Sequence, residues 1–157
     1  LCSTAAWWRR SIAAALGAIT SIEKHELGIY ALFGTIVWII GFAIEAIADR
    51  QKQLFRSNAA NKGKFIQTGL WSWSRHPNYF GEIVLWIGIA IIAFPVLSGW
   101  QYVTLISPAF VYLLLTRISG IPMLEASADE RWGGQKDYEE YKRVTSVLFP
   151  WTSRKNS

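Results

Sequence analysis

Residues 27 to 48 read LGIYALFGTIVWIIGFAIEAIA, 22 residues whose apolar character is broken only by Thr35 and Glu45. A run of that length covers the roughly 30 Å of a bilayer's hydrocarbon with some tilt. It decides the fold class: the chain is expected to be an all-α, polytopic transmembrane helical bundle. Glu45 lies deep for a carboxylate, which is costly in lipid unless the group faces a partner or water. Glu45, Asp49, Lys52 and Arg56 follow at spacings of four, three and four, so they share one face as the helix leaves the bilayer. That face reads either as a ladder of ion pairs along the helix or as one wall of a polar pocket.

The rest of the composition agrees with a membrane protein. Hydrophobic residues make up 52% of the 157, nine are Trp, and mean hydropathy is +0.20. The chain begins with Leu1, and no charged, apolar and small-residue segments follow in signal-peptide order, so it reads as a piece of a longer protein, truncated at its N-terminus. Cys2 is the single cysteine, which permits no internal disulfide, and with only His25 and His76 beside it no metal site is expected. A formal charge of +5 fits an anionic small-molecule partner or the basic loops of a membrane protein. No nucleic-acid partner is expected, and oligomeric state is not legible.

Outward from the first span, residues 5 to 22 are apolar but interrupted by Arg9 and Arg10, which suggests the end of a truncated helix, with a solvated loop at Glu23 to Glu26. Residues 57 to 68, SNAANKGKFIQT, lack periodicity and read as a loop. Two further spans are expected at about 80–97 and 100–116, joined by a tight turn at Ser98-Gly99, with Pro95 and Pro108 as kinks. Gly120 and Pro122 break the third helix. A polar helical region then runs from Leu124 to Arg143, interrupted at Gly133-Gly134. Pro150-Trp151 ends the ordered part, and 152–157 reads as a frayed tail. Residues 27–151 therefore form one membrane domain. Between residues 49 and 79 six cations (Arg50, Lys52, Arg56, Lys62, Lys64, Arg75) face Asp49 alone, whereas the 98–99 turn is uncharged. The excess of positive charge assigns both 49–79 and 117–157 to the cytoplasm.

The most committed chemistry lies at 69–82, GLWSWSRHPNYFGE, where Arg75, His76, Asn78, Tyr79 and Glu82 bring five functional groups within two helical turns. Pro77 drives His76 out of helical geometry and suits a helix start, so a helix is expected from Asn78 or Tyr79. Asn78 and Glu82 then share a face. Capping by Asn78, a dipole contribution from Glu82 and membrane-interface anchoring by Arg75, Trp71 and Trp73 explain part of the stretch without a ligand. They leave His76 and Tyr79 unexplained. Both this motif and the tail are assigned to the cytoplasm, so Glu125, Tyr138 and Tyr141 are expected to fold back against Arg75 and His76.

These residues carry a resemblance. GFAIEAIADRQKQLFR at 41–56, GLWSWSRHPNYFGE at 69–82 and the ending SGIPMLE…YEEYKRVTSVLFPW resemble the C-terminal region of the steroid 5-alpha reductase superfamily, in its uncharacterised membrane branch. Isoprenylcysteine carboxyl methyltransferases look similar at RHPNY. The resemblance implies a multi-helix membrane fold with a cytoplasm-facing cavity that holds NADPH and reduces a carbon–carbon double bond in a lipid-like substrate. It implies that Asp49, Arg56, Lys64, Asn78 and Glu82 line the dinucleotide. With the motif and tail residues added, the candidate cofactor-binding set is Asp49, Arg56, Lys64, Arg75, His76, Asn78, Tyr79, Glu82, Glu125, Tyr138 and Tyr141. Catalytic residues are expected in the missing upstream half. The sequence departs from the pattern at Lys64, where reductases carry Arg and its bidentate fork. It departs again at Pro122 to Glu125, where sterol reductases carry Arg-Asp-Glu.

Two other functions compete with the reductase. An S-adenosylmethionine-dependent methyltransferase would bind a sulfonium cation, which gains nothing from a cluster of Lys and Arg, and its relatives show adjacent glutamates where Ala126 follows Glu125 here. A non-catalytic membrane scaffold would treat the cations as topology signals. NADPH carries several negative charges and is favoured by the basic segment 50–75.

Overall fold

The computed structural model describes residues 28–150; the expected N-terminal helix and loop at 1–26 and the tail at 152–157 lie outside them. The first helix, α1 (Ile29–Ser57), runs well past the apolar stretch and carries Glu45, Asp49, Lys52 and Arg56 on continuous helix. A connection with a short tight turn at Ala59–Asn61 and another at Gly69–Ser72 leads to α2 (Pro77–Ala93). Then come a tightly wound turn at Phe94–Val96, a longer one at Gly99–Ile106, α3 (Ser107–Leu113) and a wide turn at Leu114–Ile118. Two polar helices, α4 (Ile121–Trp132) and α5 (Lys136–Val144), complete the described chain. Three helical stretches, Ile29–Ser57, Pro77–Val96 and Gly99–Trp132, the last bent at Ser119 and Gly120, are long and apolar enough to cross a membrane. The fold is an all-α polytopic bundle, and the protein is an integral membrane protein.

The frame is the antiparallel pair α1 and α2, and glycine builds it. Gly34, Gly41 and the small Ala48 recur every seven residues on α1 and are all buried, as are Gly81 and Gly88 on α2. A Cβ added at Gly41 would stand 2.4 Å from Leu85 N, and one at Gly88 2.6 Å from Trp38 N. The helices therefore meet backbone to backbone, the small-residue packing typical of membranes, where no hydrophobic driving force separates helix from lipid. The opposite face of α1 presents Ile29, Leu32, Phe33, Ile36 and Ile40 outward, as a lipid-facing surface should.

Several boundaries differ from the sequence expectation. The second helix starts at Pro77, one residue before Asn78, and His76 is its N-terminal flanking residue (φ −136°, ψ 60°), so Asn78 is not the cap. Proline's fixed φ and missing N–H make it a better first helical residue than Asn78. Pro95 falls in the tight turn that ends α2, and Pro108 opens α3, so neither kinks a helix interior. The stretch read as the start of a third span winds tightly from Gly99 to Ile106 behind a reciprocal Ser98/Gln101 cap. Gly99 itself adopts φ +54° to make the turn.

The tail is tied to the turn before α2 by backbone. Ser74 and Ser146 pair in parallel register, Arg75 N donates to Ser146 O at 2.9 Å, and the buried Ser74 hydroxyl donates to Leu148 O at 2.8 Å. This strap holds α4 and α5 over the end of α1.

Candidate functional site

A pocket opens where α1 leaves the apolar region, bounded by the 64–66 loop, the turn before α2, and α4 and α5. Lys52, Phe55 and Arg56 come from α1, Lys64 and Phe65 from the loop, and Trp71, Arg75 and His76 from the turn. Glu125, Arg131 and Trp132 come from α4, and Tyr138 and Tyr141 from α5. Sequence-distant segments thus converge on one site, as the charge-based topology expects.

Glu125 is the pin. One of its oxygens accepts from Arg75 Nη1 at 2.5 Å and the other lies 2.7 Å from His76 Nε2. An ionised carboxylate only accepts, so Nε2 carries the hydrogen. The single carboxylate therefore neutralises Arg75 and fixes the imidazole ring. His76 is buried and stacks on Tyr79 with centroids 5.7 Å apart and planes 13° from parallel.

Aromatic rings form another part of the lining. Phe65 sits 5.9 Å from Trp132, 5.3 Å from Tyr138 and 5.4 Å from Tyr141 by ring centroids. Trp132 Nε1 donates to Gly63 O at 2.7 Å, fastening the loop to α4. Tyr141 donates to Trp71 O at 2.6 Å, and Tyr138 to Asp129 at 3.0 Å. Burial, and then the hydrogen bond to Asp129, push the Tyr138 phenol above its ordinary range, and burial does the same for Tyr141, so both remain protonated donors. Asp129 also accepts from Lys142 at 2.7 Å, which holds that ammonium above its ordinary range.

The structure divides the sequence candidates. Arg56, Lys64, Arg75, His76, Glu125, Tyr138 and Tyr141 line the pocket; Asp49, Asn78, Tyr79 and Glu82 do not. The latter stand with Glu45 at the neighbouring crossing of α1 and α2, where Asp49 and Glu82 act electrostatically on Glu45 and on the Tyr79 phenol. No ladder of ion pairs joins Glu45, Asp49, Lys52 and Arg56. The His76–Tyr79 stack links the two groups. Tyr138 and Tyr141 face the pocket with their rings while their hydroxyls bond to Asp129 and Trp71, not to Arg75 or His76. Among the described residues, two buried side-chain polar atoms have no hydrogen-bond partner, Arg75 Nε and Asn78 Oδ1.

The residues that sequence reasoning missed are Phe65, Trp71, Arg131 and Trp132. Trp73 is 52% exposed, as an anchor would be, but Trp71 is 4% exposed and donates Nε1 to Ala48 O at 3.0 Å. It packs on the small-residue stripe of α1, with Lys52 Nζ 4.8 Å from the centroid of its ring. The small Ala48 on the buried face of α1 carried the available signal, a gap that a bulky ring can face.

The family described as "Protein of unknown function (DUF1295)" matches residues 5–145. The 3-oxo-5-alpha-steroid 4-dehydrogenase 1 of Bos taurus is 25% identical over 120 residues, 76% of this chain and 41% of that protein. The steroid 5-alpha-reductase DET2 of Arabidopsis thaliana is 27% identical over 122 residues, 76% of this chain and 41% of that protein. The probable O-methyltransferase ustE of Ustilaginoidea virens is 31% identical over 70 residues, 45% of this chain and 25% of that protein. The chain thus spans about two fifths of the length of the steroid enzymes it matches. No solved structure matches it. With a family match over nearly the whole sequence and these relatives, the chain belongs to the DUF1295 family of the steroid 5-alpha reductase superfamily.

Proposed function

We propose that this chain is the cofactor-holding part of a membrane reductase that uses NADPH to reduce a carbon–carbon double bond in a lipid-like substrate. The pocket is the observation that carries the reading. Lys52, Arg56, Lys64 and Arg131 line it with no carboxylate partner among the described residues, beside the rings of Phe65, Trp71, Trp132, Tyr138 and Tyr141. Cations give charge-assisted hydrogen bonds to phosphates, and ring faces pack flat heterocycles. The relatives whose names state steroid dehydrogenation or reduction favour the same chemistry.

The chain's own residues fit a long ligand with a charged end and a polar end. Arg56 and Lys64 would hold phosphates, and the orphaned Asn78 amide oxygen with Glu82 would hold the carboxamide and ribose at the α1/α2 crossing. Asp49, next to Glu82 in charge and on the same crossing, would accept from a ribose hydroxyl. When bound, the nicotinamide supplies the hydride. The chain's own residues would orient that ring, and α4 and α5 over the mouth would exclude water. We place the pocket, the 49–79 segment and the C-terminal helices on the cytoplasmic side, from the concentration of cations there and the uncharged 98–99 turn.

A second reading, a methyltransferase using S-adenosylmethionine, rests on the resemblance to ustE. Unpartnered cations around the pocket oppose it, because a sulfonium is repelled by them. Thermal unfolding of the intact protein in detergent separates the two. NADPH at about a hundred times its Kd stabilises a folded protein by about 2.7 kcal/mol. We expect the midpoint to rise with NADPH and to stay fixed with S-adenosylmethionine. The reverse pattern establishes the methyltransferase, and no response to either leaves a scaffold.

A further inference from the structure

Arg131 and Lys64 are neighbours of a hydrogen-bonded pair. Trp132 Nε1 donates to Gly63 O at 2.7 Å, and Phe65 packs against the Trp132 ring 5.9 Å away. These contacts fix residues 63–65 of the loop against the end of α4. Lys64 from the loop and Arg131 from α4 line the same pocket. Both side chains are exposed, and neither forms an ion pair among the described residues. Of the other cations on the wall, Arg75 is engaged with Glu125 and Lys52 lies over the Trp71 ring, while Arg56 comes from α1. The nearby acid on α4, Asp129, is taken by Lys142 and Tyr138. A loop and a helix are thus fastened by neutral contacts while two like charges line the same pocket without an ion-pair partner among the described residues. That arrangement is unfavourable alone and favourable around a doubly charged anion.

We propose that Arg131, acting with Lys64, is the specificity determinant of the pocket and grips a terminal phosphomonoester, the 2′-phosphate that distinguishes NADPH from NADH. This assignment rests on the reading of the pocket as a dinucleotide site. It adds a residue from α4 to a phosphate set otherwise drawn from α1 and the loop. Arg131 supplies the planar fork that Lys64 lacks, and a phosphomonoester dianion can accept from both.

The test is nucleotide binding to the intact protein in detergent, followed by quenching of tryptophan fluorescence. Wild type and Arg131→Gln are each titrated with NADPH and with NADH. The loss of one charge-assisted contact is expected to weaken NADPH by about tenfold or more. NADH should be unchanged, so that the preference between the two nucleotides collapses. Arg131→Lys should retain part of the preference, and in wild type 2′-AMP should compete with NADPH better than 5′-AMP does. This competition needs no variant and decides the matter even if the substitutions lower the yield of folded protein. Equal weakening of NADPH and NADH in Arg131→Gln, or equal competition by the two monophosphates, overturns the assignment while leaving a dinucleotide site standing. Wild-type protein that binds neither nucleotide overturns both the site and the assignment.

Discussion

Tyr141 shows how one side chain joins the tail to the motif. Its hydroxyl donates to the Trp71 carbonyl at 2.6 Å, while its ring closes the aromatic wall beside Phe65. Tyr141→Phe keeps the ring and leaves a buried carbonyl unsatisfied, which costs about 1–3 kcal/mol. The same residue sets an alkaline limit. Its folded pKa is raised above the ordinary 10.0 by burial, so the folded state binds more protons than the unfolded state above that value. The stability it contributes is complete below pH 10 and is lost as pH rises further. A thermal midpoint measured against pH in detergent should therefore fall above pH 10 in wild type and fall less in Tyr141→Phe. If both fall alike, the phenol is not the titrating group. Much at this scale was legible: Pro77 announced a helix start and the spacing of Asn78 and Glu82 a shared face. The pinning of Arg75 and His76 by Glu125 followed from placing both segments on one side. Trp71 and Arg131 were not legible. Whether a Trp anchors at the interface or fills a gap depends on what lies opposite, and Arg131 lines the pocket from a helix that Trp132 fastens to a loop 69 residues earlier in the chain.

The four-three-four spacing of α1 also shows the limit of a periodic argument. Glu45 and Arg56 lie on one face, yet 11 residues of helix separate them along its axis by about 16 Å. Sharing a face did not make them share a site: Arg56 lines the cationic pocket and Glu45 stands at the crossing with α2. Hydropathy likewise identified the apolar stretch after Ser98 but not its tight winding over Gly99–Ile106, because composition does not encode helical pitch. For the α1/α2 pair the structure gives a sharp expectation. Gly41→Ala places a methyl 2.4 Å from Leu85 N and 2.7 Å from Gly81 O, and backbone atoms cannot rotate away as a side chain would. The helices must part, at a cost of about 1–3 kcal/mol or more. Gly63→Ala is the control: nothing lies within 4 Å, and only its φ of +81° opposes the change. Unfolding midpoints in detergent should rank wild type above Gly63→Ala and Gly63→Ala well above Gly41→Ala. The reverse order for the two variants would mean that the helices do not meet at glycine.

At the scale of the molecule, the proposed orientation separates two loops. A cysteine introduced at Lys62, in a Cys2→Ser background, should react with a membrane-impermeant maleimide only from the cytoplasmic side. One at Gln101 should react only from the other side. Labelling of both from the same side would overturn the three-span arrangement. The glycine stripe that fixes α1 on α2 has a consequence for inheritance as well as packing. Every amino acid except glycine carries a Cβ, and at Gly34, Gly41, Gly81 and Gly88 that atom would fall within 3.0 Å of the facing backbone. No conservative replacement exists at these positions. Any missense change in their codons, whatever its chemistry, strikes the same frame that presents the pocket, so the sites least able to vary are those that carry no functional group at all.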